Sequence, residues 1–311
     1  MSSSGIDYAI LVRNKTRLEQ LVERFNTKGQ AQFYIESLGG EFAEYEEENA
    51  RFQESFSLVQ RRLSSVLKNK VVERAFLPSF LFNPKQLVVV VGQDGLVANT
   101  AKYVNGIPII AVNPDQERYD GVLLPFTPQD FLRAVERVLA DRYRVREASL
   151  AEARLNDGQR LLGFNDLFIG NASHVSARYR IGYQGEEESH SSSGIIVSTK
   201  SGSTGWLSSI FNMTAGMRQF LDPADTPPPQ PAFADTELMF VVREAFRSKR
   251  TQASLTAGIL DENEPLIIES FMPTNGVIFS DGVETDFLHF NSGAIATIGV
   301  APEKARLVIK E

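Results

Sequence analysis

Gly92-Gln93-Asp94-Gly95 sits between an apolar run at 87–91 and a helix-like stretch at 96–104. Glycines at a strand-to-helix turn let backbone amides approach a phosphate, and the first turn of the helix adds a favourable potential for an anion. An aspartate in such a turn can accept the proton of an attacking hydroxyl, which gives Asp94 a chemical use. Asp-Gly is also a common turn pair, so an ordinary connection is the alternative. A second cluster, Ser198, Thr199, Lys200, Ser201, Gly202, Ser203, Thr204 and Gly205, follows the apolar run 195–197. Its hydroxyls and exposed amides suit ribose, base and phosphate, although a plain Ser/Gly loop has the same composition. Trp206, next in the chain, can stack on a base or fill the core. Asn165-Asp166 interrupts the apolar stretch 161–169. Adjacent strand residues face opposite ways, and a polar one that is buried needs a partner, which a bound ribose could supply. A strand entering a turn is the other reading.

In order and spacing these pieces resemble the NAD kinase family. That family carries Gly-Gly-Asp-Gly-Thr, then Asn-Glu, then a Thr-Gly-Ser-Thr-Ala-Tyr-like loop, then a late Asp-Gly. The corresponding segments here are 92–96, Asn165-Asp166, 198–206 and Asp281-Gly282. Three further segments resemble the mitochondrial-type branch: 112–118 with Asn113, Ser192-Ser193-Gly194, and 291–296. The stretch 52–70 is the least covered.

The resemblance implies a kinase that moves phosphate from a nucleoside triphosphate to the 2′-hydroxyl of the adenosine ribose of NAD(H), making NADP(H). Asp94 would be the general base. Gly92, Gln93 and Gly95 would form the phosphate-holding turn, with Asn113 also counted as cofactor-binding. Asn165 and Asp166 would bind the dinucleotide, and Ser198, Thr199, Lys200, Ser201, Gly202, Ser203 and Thr204 would hold the adenosine. The implied donor is ATP with Mg2+ and the implied substrate NAD; no protein metal site is expected. Four positions depart from the family. Gln93 replaces a glycine, Leu96 removes a hydroxyl, Asp166 is one methylene shorter than Glu, and Lys200 adds a charge to the loop. Two rival readings follow. One is a non-catalytic nucleotide-binding regulator, which would bind NAD yet release no ADP. The other is a lipid kinase, disfavoured by the Asn-Asp pair and the hydroxyl-rich loop.

The rest of the chain limits the alternatives. A formal net charge of −7 argues against nucleic acid as the main partner, since phosphate-backbone binding needs a basic footprint. The chain has no cysteine and only three histidines, His174, His190 and His289, without metal-ligand spacing, which disfavours thiolate, disulfide and zinc chemistry. No run approaches the ~20 apolar residues of a membrane span, so a cytoplasmic protein acting on small-molecule nucleotides is expected.

These residues need a scaffold. Residues 8–12 read as a strand, and Thr16 with Glu19 as a capping box opening a helix. Apolar residues from Phe42 to Val66 recur at three and four, with a polar break at Asn49. They predict a long amphipathic helix, which either packs on its own domain or pairs two copies into a dimer. The runs 87–91 and 108–112 read as buried parallel strands, and Thr127-Pro128 as a helix start with Pro at the first position. From 143 onwards short strands dominate, at 161–169, 177–183, 195–198, 238–242, 266–269, 277–279 and 294–300, and the proline-rich 222–231 reads as a loop or lid. The expected fold is an N-terminal Rossmann-like α/β domain with a parallel sheet, residues 1–142, followed by a β-rich domain, residues 143–311. The active site is expected between them.

Overall fold

The structure, a computed structural model, describes residues 5–222 and 232–310. Nearly all of the expected proline-rich lid therefore lies outside the described residues. The chain divides into two compact units, Met1–Glu147 with Arg306–Glu311, and Ala148–Ala305. The expected boundary after residue 142 falls a few residues early, and the C-terminal residues return to the first unit.

In the first unit the elements run β1 (Tyr8–Arg13), α1 (Arg17–Phe25), α2 (Lys28–Ser37), α3 (Phe42–Ser64), β2 (Asn69–Glu73), β3 (Gln86–Val91), α4 (Asp94–Ala101), β4 (Ile109–Val112) and α5 (Phe131–Leu139). The strands are parallel in the order β2-β1-β3-β4. Every residue of β3 is buried, as its unbroken valine run requires of a strand covered on both faces. Thr16 caps α1 with both halves of the capping box formed. Its hydroxyl also donates to Asn49 Oδ1 at 2.8 Å, which gives the polar position in the apolar pattern of α3 a partner.

The apolar stripe of α3 is internal. Phe56, Val59 and Leu63 pack in one cluster with Leu11, Val89, Phe131 and Val135. Of the two readings of this helix, packing on its own domain is the one the burial of Phe56, Val59 and Leu63 bears out. Helix α5 begins at Phe131, not at Pro128: the Asp130 carboxylate accepts from the Thr127 N–H at 2.7 Å and closes a turn first.

The second unit holds β5 (Val145–Leu155, which enters from the first), β6 (Arg160–Gly163), β7 (Asp166–Asn171), β8 (Ala177–Tyr183), β9 (Glu186–Ser192), β10 (Ile195–Thr199), α6 (Trp206–Leu221), β11 (Leu238–Val242), β12 (Ala257–Leu260), β13 (Leu266–Ser270), β14 (Gly276–Ser280), β15 (Val283–His289) and β16 (Ile295–Val308). One sheet runs β12-β11-β10-β7-β14-β15, all antiparallel; β16-β13-β8-β9 form another, with β5 and β6 attached. Tyr179, Ile181 and Ile268 of one sheet share a core with Val197, Phe240 and Ile278 of the other. The end of β16 re-enters the first unit, where Leu307 pairs with Ile109 of β4.

Candidate functional site

The proposed phosphate turn lies wholly in the first unit. Gln93 is the N-cap of α4, its side chain exposed and without a capping bond. A Cβ built on Gly95 would meet nothing within 4 Å. Nothing in the fold therefore demands a glycine there, and its absence of a side chain leaves the first turn of α4 open to an approaching group. Gly92 is different, since its Cβ would lie 2.8 Å from Leu96 Cδ2. Leu96 is buried over it and fills the space a shorter residue would leave.

Asp94 stands at the first position of α4, partly exposed, and its Oδ1 accepts the Leu123 N–H at 2.6 Å. The loop that supplies this amide is organised by Asn113, which is buried. Its Nδ2 donates to the Tyr119 carbonyl at 3.0 Å, and its Oδ1 accepts from the Asp115 N–H at 3.0 Å. Gly121, at φ 66°, leaves room for that side chain, because a Cβ there would come within 2.6 Å of Asn113 Nδ2. Asn113 thus acts on Asp94 at one remove, through the loop that carries Leu123.

The second unit gathers the other pieces. The expected strand 161–169 is broken at Phe164-Asn165, between β6 and β7. Asp281 fills the break. Its carboxylate accepts the N–H groups of Phe164 at 3.0 Å, Asn165 at 2.6 Å and Asp166 at 3.4 Å. It does so from a left-handed backbone (φ 53°) that Asp tolerates better than most residues. On the other side, the Thr199 N–H donates to the Asn165 carbonyl at 2.9 Å, and the Thr199 hydroxyl donates to the Phe164 carbonyl at 2.6 Å. That hydroxyl also accepts from Gly202 N–H at 3.2 Å. A Cβ on Gly202 would sit 2.0 Å from the Asn165 carbonyl oxygen, so only glycine permits this approach.

The backbone at Asn165 is therefore held from both sides, while its half-exposed side chain makes no hydrogen bond among the described residues. Asp166 is buried. Ser198 is buried and its hydroxyl donates to the Thr199 carbonyl at 3.0 Å. Ser203 donates to the Lys200 carbonyl, and the exposed Lys200 holds its ammonium 5.1 Å from the Phe233 ring centre. The hydroxyls of Ser201 and Thr204 make no hydrogen bond among the described residues and face outward or half outward. Trp206 stacks on Phe168, with centroids 5.7 Å apart and planes at 11°.

No family model matches the chain. An NAD kinase from Heliobacterium modesticaldum is 34% identical over 128 residues, 39% of this chain and 44% of that protein. One from Saccharolobus islandicus is 29% identical over 152 residues, 49% of this chain and 55% of that protein. The match spans about half the length of these curated relatives. Among solved structures, yeast NADH kinase complexed with NADH superposes with a TM-score of 0.55 at 14% identity, over 98% of this chain and 84% of that one. An Archaeoglobus fulgidus NAD kinase in complex with ATP gives 0.53 at 14% identity, over 98% and 94%. Over the matched segments the chain is similar to NAD kinases. It shares the α/β-plus-β fold of NAD kinases, and no helix among the described residues is long and apolar enough to cross a membrane.

Against the NAD kinase motifs, the structure brings Asn165, Asp166, Ser198, Thr199 and Gly202 together in one unit, and Gly92, Asp94, Gly95 and Asn113 in the other. Two contributors were missed by motif reading. Leu123 acts through its backbone, so no side-chain pattern could mark it. Asp281 lay in the late Asp-Gly without a stated role, and its value lies in a contact 116 residues from Asn165.

Proposed function

We propose that this chain is an NAD(H) 2′-kinase, with a magnesium–nucleoside triphosphate as donor. The carrying observation is the state of Asp94: one carboxylate oxygen is fixed by the Leu123 amide, and the residue stays partly exposed beside the open first turn of α4. The second oxygen is the general base. It takes the proton of the ribose 2′-hydroxyl while that oxygen bonds to the γ-phosphorus. The bond from the γ-phosphorus to the β–γ bridging oxygen breaks and ADP leaves. Magnesium enters as part of the donor. The unpartnered Asn165 amide and the hydroxyls of Ser201 and Thr204 are the dinucleotide contacts, and buried Asp166 completes them towards the ribose. The likeness of segments 112–118, 192–194 and 291–296 supports placing the chain in the mitochondrial-type branch.

Purified protein given ATP, magnesium and NAD or NADH is expected to form the 2′-phosphorylated product. Asp94→Asn keeps the Leu123 contact and removes the base, so turnover falls by roughly a hundredfold or more while NAD binding survives. Unchanged turnover in that variant would take Asp94 out of the chemistry. Binding of NAD without any ADP release by the wild type would favour a regulator in which Leu96 has closed the donor turn.

A further inference from the structure

The first unit carries a second concave site with no part in the motifs above. A cavity of about 190 Å3 opens between α5, the segment through Tyr143 and Arg144, and the end of β16. Phe126, Ala134 and Val308 contribute apolar lining, and Arg133, Arg137, Arg144 and Lys310 contribute cations. The one acid in the lining, Asp130, is already engaged: Lys310 Nζ lies 2.7 Å from it, and the Thr127 N–H donates to its other oxygen. The Arg133 and Arg144 guanidinium groups have no ion pair among the described residues.

Four cations against one engaged acid leave this hollow positive, in a chain whose net charge is −7. Next to it Arg306, on β16, lies over the Tyr143 ring at 6.0 Å and reaches the Tyr143 hydroxyl at 3.4 Å. Its Nε is buried with no hydrogen-bond partner. Buried donors are seldom left in that state unless a missing partner belongs there.

We propose that this cavity binds a small multiply charged oxyanion, a phosphate ester or a polycarboxylate, separately from the nucleotide site. Guanidinium forks on two sides suit paired oxyanion oxygens. Tyr143 and Phe126 offer an aromatic seat for the rest of the ligand. A volume of about 190 Å3 fits a small metabolite.

The test is calorimetric titration of the full chain at low ionic strength with sodium pyrophosphate, and separately with citrate. Wild type is expected to bind one or both in about the millimolar range or tighter. Arg133→Ala with Arg144→Ala should weaken that binding by roughly tenfold or more, since each loses a charge-assisted contact. Both side chains are exposed, and an unchanged thermal transition verifies the fold of the variant. Pyrophosphate could also enter the turn at Gly92–Leu96, so Gly95→Val serves as the control. It should leave the arginine-dependent binding intact while reducing kinase turnover. A preference for pyrophosphate or for citrate identifies the source of the oxyanion. Failure of the wild type to bind either probe, or binding that Gly95→Val abolishes and the arginine variant does not touch, overturns the proposal without touching the kinase reading.

Discussion

Asp94 and Asp281 both stand in Asp-Gly turns, and both accept backbone N–H groups, but they differ in what is left over. Asp94 receives one amide and keeps a free oxygen beside the open turn. Asp281 receives three and is a positioning group for Asn165 and Asp166. Replacing Asp281 by Asn leaves one carbonyl to accept and turns an NH2 towards amides that also donate. The expected cost is about 1–3 kcal/mol in urea unfolding, the penalty of leaving buried donors unmet. On the proposed function, the KM for NAD should rise more than kcat falls, because Asp281 holds the proposed dinucleotide contacts and not the proposed base. A variant with normal stability and normal KM would show that the turn holds itself.

At the scale of elements, α4 and α3 carry the informative departures. Gln93 points outward, so its substitution for glycine leaves the turn open; the consequential change is Leu96, packed over Gly92. Gln93→Gly with Leu96→Thr returns a hydroxyl to the first turn and clears that space. ADP release should increase by roughly tenfold or more, the worth of one hydrogen bond to a charged group, and the effect should show in the ATP dependence and not the NAD dependence. A folded double variant with less activity would mean that Leu96 belongs to a donor site tuned differently. On α3, Leu63 is fully buried against the parallel sheet. Leu63→Ala should cost about 2–5 kcal/mol, and Leu63→Glu should yield unfolded protein, not a soluble monomer. The three- and four-residue spacing made the helix legible, because the period reports a buried face. It could not tell which surface covers that face. For the same reason the runs 177–183 and 238–242 matched β8 and β11, whereas β9, written Glu-Glu-Glu-Ser-His-Ser-Ser, showed no apolar period and was missed. The break inside 161–169 was also hidden, since its cause is a carboxylate far along the chain.

For the molecule as a whole, composition and the α-then-β order were enough to forecast two units, while the return of 306–311 to the first was not, because β16 is one unbroken strand that serves both. Within the second unit Arg160 of β6 bridges Glu152 of β5 and Glu303 of β16. Its hydrogen bond holds the Glu303 carboxyl below the ordinary value of 4.5. A carboxylate depressed on folding contributes stability above its unfolded value and loses it as pH falls through the lower, folded one. Arg160→Gln should therefore lower stability at neutral pH and flatten the acid limb of a stability–pH curve below about 4.5; parallel curves would exclude the bridge. The reach of Asp281 also bears on how the protein is made. With 116 residues between it and Asn165, a ribosome adding roughly 5–20 residues per second exposes the turn at Asn165 many seconds before its acceptor exists. Nascent chains halted short of residue 281 should hold this turn loosely, because the carboxylate that accepts its amides has yet to be made.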